Sequence, residues 1–595
     1  MINEYFEEIQ SAIRQESYEY PKYIELEIFQ KKRDGRIWII EYVKPNNNIE
    51  IDSSFEGTKV YWIIDGFKCY GEILSSIPED REIHIRYATH EPPDPEKKIV
   101  LFPPRYIEAL QDIWQKKTDW TNLSLEWYDE VESCIINQGS KQIHLDNSNF
   151  PNLRSKQRDA FKLVDYNFSF LNGPPGTGKT YTLGAIISQY LLQHQNAKIL
   201  LLSSTNVATD QALVSVDDHL INIDTNSNIR NKCKRLGGNF NSHYYKERNH
   251  LLADVDENLL SRLIFLEANP PDKKNANEYA NWKEEIERLK KEIKNSQLNL
   301  ISESRLIAMT ATRCLFLLEE LKQFHFDLIV FDESSQLSRI HAITLSLLGD
   351  KVLFTGDPKQ LSPISLSNNE KPKEWLGNSM FWFESHYSTS SIFLDEQSRM
   401  ISQINDLISN LFYNNKLKVC NFSSNNRSWT DFRKLKNNSK FNKSLLLIDV
   451  GEEATYSQKY NGNIRFKSAE AIKEVCLYLI QEEKMNPQEI AILTPFRAQK
   501  KLIKVFFRND KILKYIRIST VHAAQGSEFH TVIFDLVNES NNFLLKSKNR
   551  DAGRIINVAL SRAKARNIIF SARDNTVNGI MNNVRSYISK NGIIL

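Results

Sequence analysis

No stretch of this 595-residue chain is apolar for long enough to cross a bilayer, and 41% hydrophobic with 25% charged residues is an ordinary globular composition. Cysteine is scarce. Cys69, Cys134, Cys233, Cys314, Cys420 and Cys476 lie far apart, with no C-x-x-C pair and no matching histidine spacing. Structural zinc and iron–sulfur clusters are therefore not expected, and the thiols read as reduced, partly buried side chains. The amino terminus, MINEYFEEIQSAIRQE, is acidic and has no basic region leading into an apolar one. That excludes a secretory signal from the expectation and makes the cytoplasm the expected compartment. An excess of charge of one sign is missing too: a net charge of +3 neither demands nor excludes nucleic acid, because local basic surfaces vanish in the sum. The Asn-rich stretches at 46–48, 425–427 and 437–442 read as polar surface loops.

What is present is a change of rhythm along the chain. The length exceeds what one core supports and suggests roughly three to five domains. After a short helical start, residues 22–88 alternate apolar and polar, with Ile24, Leu26 and Ile28 against Glu25 and Glu27, and Ile83, Ile85 and Tyr87 against His84 and Arg86. Period two means half-buried strands, and Asp34-Gly35 and Asp65-Gly66 suit tight hairpin turns, so a small β-barrel or sandwich is expected. Pro103 and Pro104 open a helical stretch carrying Tyr106, Ile107, Leu110, Ile113 and Trp114, which completes an accessory unit over residues 1–120. From about residue 145 the pattern becomes strand, loop, helix, as in a parallel sheet. Strands are expected at 168–171, 199–202, 328–331 and 352–354, giving a first α/β domain over 145–206 and 306–370. Between its two parts, residues 207–305 read as a helical, charged insertion without strands; Trp282, Ile286, Leu289 and Ile293 form one stripe, and Glu287 to Lys291 an i,i+4 pair. A polar linker at 365–375 leads to a second α/β domain over 376–595, with strands at 445–450, 490–493, 516–520, 531–536 and 567–570.

The chemistry sits at the ends of these strands. Gly173-Pro-Pro-Gly-Thr-Gly-Lys-Thr180 lies between the first strand and a helix over 181–192. Glycines at 176 and 178 let backbone N–H groups turn inward and phosphate approach closely, and the helix adds its positive end. Lys179 supplies a charge to the β- and γ-phosphates, and Thr180 a hydroxyl for Mg²⁺. Asp332 and Glu333 follow an apolar strand, Asp332 suited to hold Mg²⁺ and Glu333 to accept a proton from the attacking water. Gln360, in a polar loop after the next strand, is positioned to sense the γ-phosphate. Arg399 and Arg562, from the second series, are candidates for the arginine finger that stabilises transition-state charge.

These residues fall in an ordered set: Gln157 in SKQRDA, GPPGTGKT, SSTNVATDQAL (203–213), DESSQ, GDPKQLSPI (356–364), EQSRM (396–400), ILTPFRAQ (492–499), STVHAAQGSEF (519–529) and NVALSRAK. The set resembles superfamily 1 helicases, in particular the Upf-type, senataxin-like branch, over roughly residues 153–570. The resemblance implies two RecA-like P-loop domains with an amino-terminal barrel and a helical insertion, ATP and Mg²⁺ as cofactors, and 5′ to 3′ movement on single-stranded DNA or RNA. It implies that Gln157 reads adenine with Phe496 stacked on it, and that Gly173, Pro174, Gly176, Thr177, Gly178 and Lys179 cradle the phosphates. It further implies that Gln397, Arg399 and Arg562 approach the γ-phosphate and that Glu528, after Gly526, grips the ribose. Thr205, Asn206, Thr310, Thr312, Pro495, Thr520 and His522 would line the strand-binding face.

The chain departs from the family pattern in two places. Ser334 replaces a frequent alanine, a small change; Ser398 replaces a frequent aromatic, and Ile401-Ser402 a common His-Pro, which leaves Phe496 as the base-stacking candidate. The alternatives to a strand-unwinding enzyme are a remodeller that strips proteins from nucleic acid, and a nucleotide-gated scaffold. No acid–acid–lysine cluster in strand context suggests a nuclease, so any cutting would belong to a partner protein.

Overall fold

The computed structural model describes all residues except 1, 20–21, 35–36, 44–50, 52–54, 56–57, 66, 78–80, 88–93, 103–106, 139, 141, 225–227, 238–239, 253–256, 274, 296–300, 452–453, 461, 538–549 and 572–579. The period-two segments pair as antiparallel strands β1 (Ile24–Asp34), β2 (Ile37–Tyr42), β3 (Lys59–Ile64), β4 (Phe67–Ile77), β5 (Glu82–Arg86) and β6 (Lys98–Leu101). They close into a barrel in the order β1-β2-β5-β4-β3-β6. Closure removes the exposed edges an open sheet would present, and the inward positions Trp38, Ile40, Trp62, Ile73 and Ile85 fill the interior. Asp34 opposite Ile37 and Ile64 opposite Phe67 show two-residue connections, with Asp65 at φ +49. Gly35, Gly66, Asn46 to Asn48, Pro103, Pro104 and Tyr106 lie outside the described residues.

The helix Ile2–Glu19 packs with Ile107–Trp114 and Asp119–Glu132. Its residues Phe6, Ile9 and Ile13 share one core with Leu110, Trp114 and Tyr128 and with Phe168 and Phe170 of the first large sheet. The barrel's stalk is thus built into that sheet's packing.

That sheet holds β7 (Phe168–Asn172), β8 (Ile199–Ser203), β9 (Cys233–Arg235), β10 (Leu306–Thr310), β11 (Phe326–Asp332), β12 (Gly349–Gly356) and β13 (Ser391–Phe393). The order is β13-β7-β12-β11-β8-β10-β9, parallel throughout. Its central strands are buried on both faces, which is why they read as unbroken apolar runs rather than alternating ones. Parallel pairing brings the carboxyl ends of β7, β11 and β12 to one edge, with Asp332 level with Ser203 and Gly356 with Asn172.

Two expectations from sequence are corrected. Residues 207–305 are not a strandless insertion. The helix Asn206–Ile223 packs on the helix Lys179–Gln193 in the domain core, and β9 extends the sheet. The accessory part is the helix pair Glu257–Ala268 and Ala276–Asn295, which docks on the barrel through Ala276, Tyr279 and Ala280 against Ile37 and Leu74. Glu287 pairs with Arg86 at 3.0 Å, because that half-buried guanidinium on the barrel takes acids from the helix as well as Glu72 from its own sheet. Ile293 has no described side chain.

The second correction concerns the boundary at 376. Residues 391–393 form β13, the edge strand of the first sheet, and Phe381 and Tyr387 before it pack on Phe170 and Phe168. The segment at 365–375 is no bare linker either: Glu16 accepts from the Ser365 hydroxyl at 2.7 Å and from the backbones of Leu366 and Ser367 at 2.7 and 3.1 Å, and Glu370–Trp375 is helical.

Beyond it come the short pair β14 (Glu396–Gln397) and β15 (Lys418–Val419), then β16 (Leu445–Asp449), a hairpin of β17 (Thr455–Ser457) and β18 (Gly462–Ile464), and β19 (Ile490–Thr494), β20 (Arg517–Thr520), β21 (Phe529–Asp535), β22 (Ala563–Ser571) and β23 (Ile593–Ile594). The second sheet runs β20-β19-β21-β22-β16-β23, again parallel. Beside it Arg566 grips Glu483 through two bonds of 3.0 and 2.9 Å, both side chains being buried. Glu483→Ala strands a buried guanidinium and is expected to lower unfolding free energy by about 3–5 kcal/mol, read by denaturant titration; a loss under about 1 kcal/mol would show the pair to be water-accessible. Among the described residues no helix is long and apolar enough to cross a membrane.

Candidate nucleotide and strand-binding sites

The loop after β7 turns where glycine alone is unstrained: Gly176 and Gly178 both sit at φ +77. Space demands glycine as well, because a Cβ on Gly176 would lie 2.6 Å from that of Arg399 and one on Gly178 would lie 2.8 Å from the Gln157 amide nitrogen. Thr177 staples the loop internally, its hydroxyl donating to the Pro174 carbonyl at 2.7 Å.

Lys179 opens the following helix and is buried. Its ammonium donates to Glu333 Oε1 at 2.7 Å and lies 4.0 Å from Asp332 Oδ1. Glu333 stands just past β11 with φ +51, a left-handed turn that swings its carboxylate toward the lysine. Burial pushes the Glu333 carboxyl up, but Lys179 outweighs it and the net direction is down, so Glu333 is a carboxylate at neutral pH. Its Oε2 is buried without a hydrogen-bond partner. Asp332, pushed up by burial and steadied by the Thr355 hydroxyl at 2.6 Å, sits behind the lysine.

The second domain closes over this edge. The Ser398 N–H donates to the Gly176 carbonyl at 2.9 Å, and Arg562 Nη2 donates to Gln360 Oε1 at 3.3 Å. Arg562 is fixed further by the carbonyls of Val558 and Ser527 at 3.1 and 3.3 Å. Burial, and then Arg399, lower its pKa to about 9, so the group remains a cation at neutral pH. Between the domains lies a cleft of about 340 Å³, lined by Gly173, Pro174, Gly176, Gly178, Lys179 and Thr180 on one side. Glu333 and Gln360 form its floor, and Arg399, Gly526, Glu528 and Arg562 the facing wall.

Five residues picked from sequence do not line the cleft: Asp332 lies behind Lys179, Thr177 is turned into its own loop, and Gln157, Gln397 and Phe496 have other partners. Gln157 accepts from the Arg154 N–H at 2.9 Å and donates to the Thr177 carbonyl at 3.1 Å, so its amide braces the phosphate loop. Gln397 folds back on the N–H groups of Arg399 and Met400, both at 2.7 Å. Phe496 packs against the second domain's own core. Sequence reasoning in turn missed Tyr413 and Asn557. The Tyr413 hydroxyl donates to Asp357 Oδ2 at 2.6 Å, and the Asn557 amide to the Lys359 carbonyl at 2.8 Å, so the second domain grips the loop that carries Gln360. Tyr413 has no periodic or charge signature in the sequence, and Asn557 opens the NVALSRAK motif with no role expected of it.

Glu528 holds Arg399 at 2.9 Å and Lys564 at 2.6 Å. Burial would raise its pKa, yet the two cations bring it from the ordinary 4.5 down to about 2. A lowered carboxyl stabilises the fold above its unfolded pKa, and the contribution disappears as pH falls. The melting-temperature advantage of the protein over Glu528→Gln is thus expected to be full at pH 7 and to shrink between pH 4.5 and about 2. An advantage unchanged at pH 2.5 would contradict the pairing.

A second cleft of about 410 Å³ runs past the same strand ends and is lined by Thr205, Thr312 and His522 together with Ser338, Pro363 and Gln525. Asn206, Thr310, Pro495 and Thr520 are not in its wall. The Asn206 side-chain Oδ1 accepts from Arg235 Nη2 at 2.9 Å, and the Thr310 hydroxyl caps the next helix by accepting from the Arg313 N–H at 3.2 Å. Gln525 lines both clefts.

A glycine-rich P-loop on one RecA-like parallel sheet, faced by Arg399 and Arg562 from a second, is the arrangement of a two-domain P-loop ATPase. Two family models, each described as an AAA domain, match residues 157–366 and 376–574. The chain is 25% identical over 464 residues to an uncharacterized ATP-dependent helicase of Methanocaldococcus jannaschii, covering 70% of this chain and 67% of that one. It is also 25% identical over 465 residues to the DNA polymerase alpha-associated DNA helicase A of Saccharomyces cerevisiae, covering 70% and 65%. With the ATP-dependent helicase upf1 of Schizosaccharomyces pombe the identity is 24% over 447 residues, covering 70% and 44%. The chain therefore spans about two thirds of the length of the first two relatives and under half of the third. It belongs to the superfamily 1 ATP-dependent helicases, with Upf1-like relatives.

Proposed function

We propose that this protein hydrolyses ATP in the cleft between its two RecA-like sheets and uses the accompanying closure to move 5′ to 3′ along a single strand of nucleic acid held in the neighbouring cleft. The observation that carries the reading is the Arg562 to Gln360 bond, which joins the two domains inside the cleft that Lys179 and Glu333 line. In this reading the γ-phosphate takes Lys179 away from Glu333. Losing its cation raises the proton affinity of Glu333, so triphosphate binding itself prepares the carboxylate to accept a proton from the attacking water. Arg562 and Arg399 meet the charge that develops on the transferred phosphoryl group, and Gln360, held by Arg562, reports its presence. Mg²⁺ is a hard cation that takes oxygen ligands: the Thr180 hydroxyl in the cleft wall and the Asp332 carboxylate, buried behind Lys179, would hold it, and it would neutralise phosphate charge.

The strand cleft offers hydroxyl, amide and imidazole groups, which suit a sugar–phosphate backbone rather than base edges. Gln525, shared by both clefts, supports a direct link between nucleotide state and strand grip. The test is ATP turnover of the full chain with matched DNA and RNA single strands, followed by displacement of duplexes carrying either a 5′ or a 3′ single-stranded tail. Stimulated turnover with displacement from the 5′-tailed duplex is the expected result. Turnover indifferent to added strands would overturn the reading; displacement from the 3′-tailed duplex alone would overturn its polarity.

A further inference from the structure

The one ring expected to stack on the nucleobase, Phe496, is not in the cleft wall but packed on the second domain's core, and Ser398, which is in the wall, has no ring. What lies beside Ser398 is Arg433, which follows the helix Arg427–Phe432, is only 7% exposed and lines the nucleotide cleft. Its three nitrogens all donate to carbonyls: Nε to Arg399 at 3.0 Å, Nη1 to Trp429 at 2.9 Å and Nη2 to Ser398 at 3.3 Å. The guanidinium carbon stands 3.9 Å from the centroid of the Trp429 ring, and the Trp429 indole N–H donates to the same Ser398 carbonyl at 2.6 Å. A planar cation whose donors are used in its own plane has its flat faces left for contact; the indole takes one of them, and the Phe432 ring, 5.8 Å from the same carbon, borders the guanidinium as well.

We propose that Arg433, backed by Trp429, is the base-stacking platform of the nucleotide cleft and takes a purine base on the face turned away from the indole. The proposal rests on the reading of this cleft as a triphosphate site. Guanidinium is weakly hydrated, delocalised and stacks well on aromatic faces, and the larger purine surface gains more from it than a pyrimidine does. Burial lowers the Arg433 pKa to about 10, which leaves it charged at neutral pH. The same side chain also holds the carbonyls of Ser398 and Arg399, so a base resting on it stiffens the segment that presents Arg399 to the phosphates.

The experiment is steady-state turnover by the full chain and by Arg433→Ala, Arg433→Lys and Trp429→Ala, with ATP, GTP and CTP as substrates and tripolyphosphate as a base-free competitor. Arg433→Ala is expected to raise KM for ATP about tenfold and to bring ATP and CTP close together in kcat/KM. Tripolyphosphate inhibition should be unchanged, because that competitor never reaches the platform. Arg433→Lys keeps the charge without the plane and should behave like the alanine variant, and Trp429→Ala should raise KM about threefold. Unaltered KM and base preference with a lowered kcat would overturn the platform and leave Arg433 as a brace for Arg399; so would full rescue by lysine. If Arg433→Ala does not fold, the lysine and Trp429 variants decide by the same readouts. Failure of the unmodified protein to turn over any triphosphate would instead overturn the reading of the cleft.

Discussion

Arg562→Ala is expected to lower strand-stimulated kcat by about 10³-fold, with KM for ATP changed only a few-fold. The asymmetry follows from where the residue sits. Arg562 belongs to the second domain and hydrogen-bonds to Gln360 of the first, whereas Lys179 and the glycine loop proposed to cradle the phosphates belong to the first. On the proposed function, removing it leaves ground-state binding largely in place and takes away a charge that acts on the phosphoryl group in the transition state. The buried guanidinium also joins the carbonyls of Ser527 and Val558, so the alanine variant loses stability as well. Arg562→Lys separates the two effects: it restores a charge but not the planar fork that reaches three partners, and should recover folding better than turnover. The measurement is steady-state turnover with saturating single strand, beside a thermal melt. A loss in kcat below tenfold in a folded Arg562→Ala protein would show that the cleft does not need the second domain's charge.

The parts of the fold legible in sequence are those written in local rules. Alternation announced the barrel strands, continuous apolar runs the buried parallel strands, and the glycine loop the turn into the helix at Lys179. The misread parts depend on what lies elsewhere in the chain. Asn206–Ile223 looked like the start of an insertion because its partner, the helix Lys179–Gln193, is identified only once the sheet is assembled. Ser391–Phe393 is three residues long, below any periodic signal, and becomes a strand because β7 leaves an edge for it to pair with. At the site, residue types bearing charge were visible from their motifs, but the direction a neutral side chain points is not a property of a motif. Gln157, Gln397 and Phe496 carry the right chemistry and are turned to other work, whereas tertiary packing brings Arg433 to the cleft wall and Tyr413 to the loop that carries Gln360, with no motif to announce either.

Glu333→Gln is expected to reduce turnover by about 10²–10⁴-fold while triphosphate and single-strand binding persist, leaving the protein held in its strand-gripping state. The carboxylate has two partners in succession. Lys179 at 2.7 Å keeps it ionised, and its second oxygen, buried without a donor, is the acceptor available to a water proton. An amide of the same size keeps the shape and the bond from lysine but has no basic oxygen, so binding survives and proton acceptance does not. Because Lys179 loses its nearest charged partner and keeps only the more distant Asp332, 4.0 Å away, it is freer to meet the γ-phosphate, and ATP affinity should rise rather than fall. Equilibrium binding of a fluorescent ATP analogue, measured beside turnover and single-strand anisotropy, checks all three. Turnover within fivefold of the unmodified protein would remove Glu333 from the proton's path. Loss of ATP binding along with turnover would mean that Glu333 serves the fold of the cleft more than its chemistry, and would move the acceptor's role to Asp332.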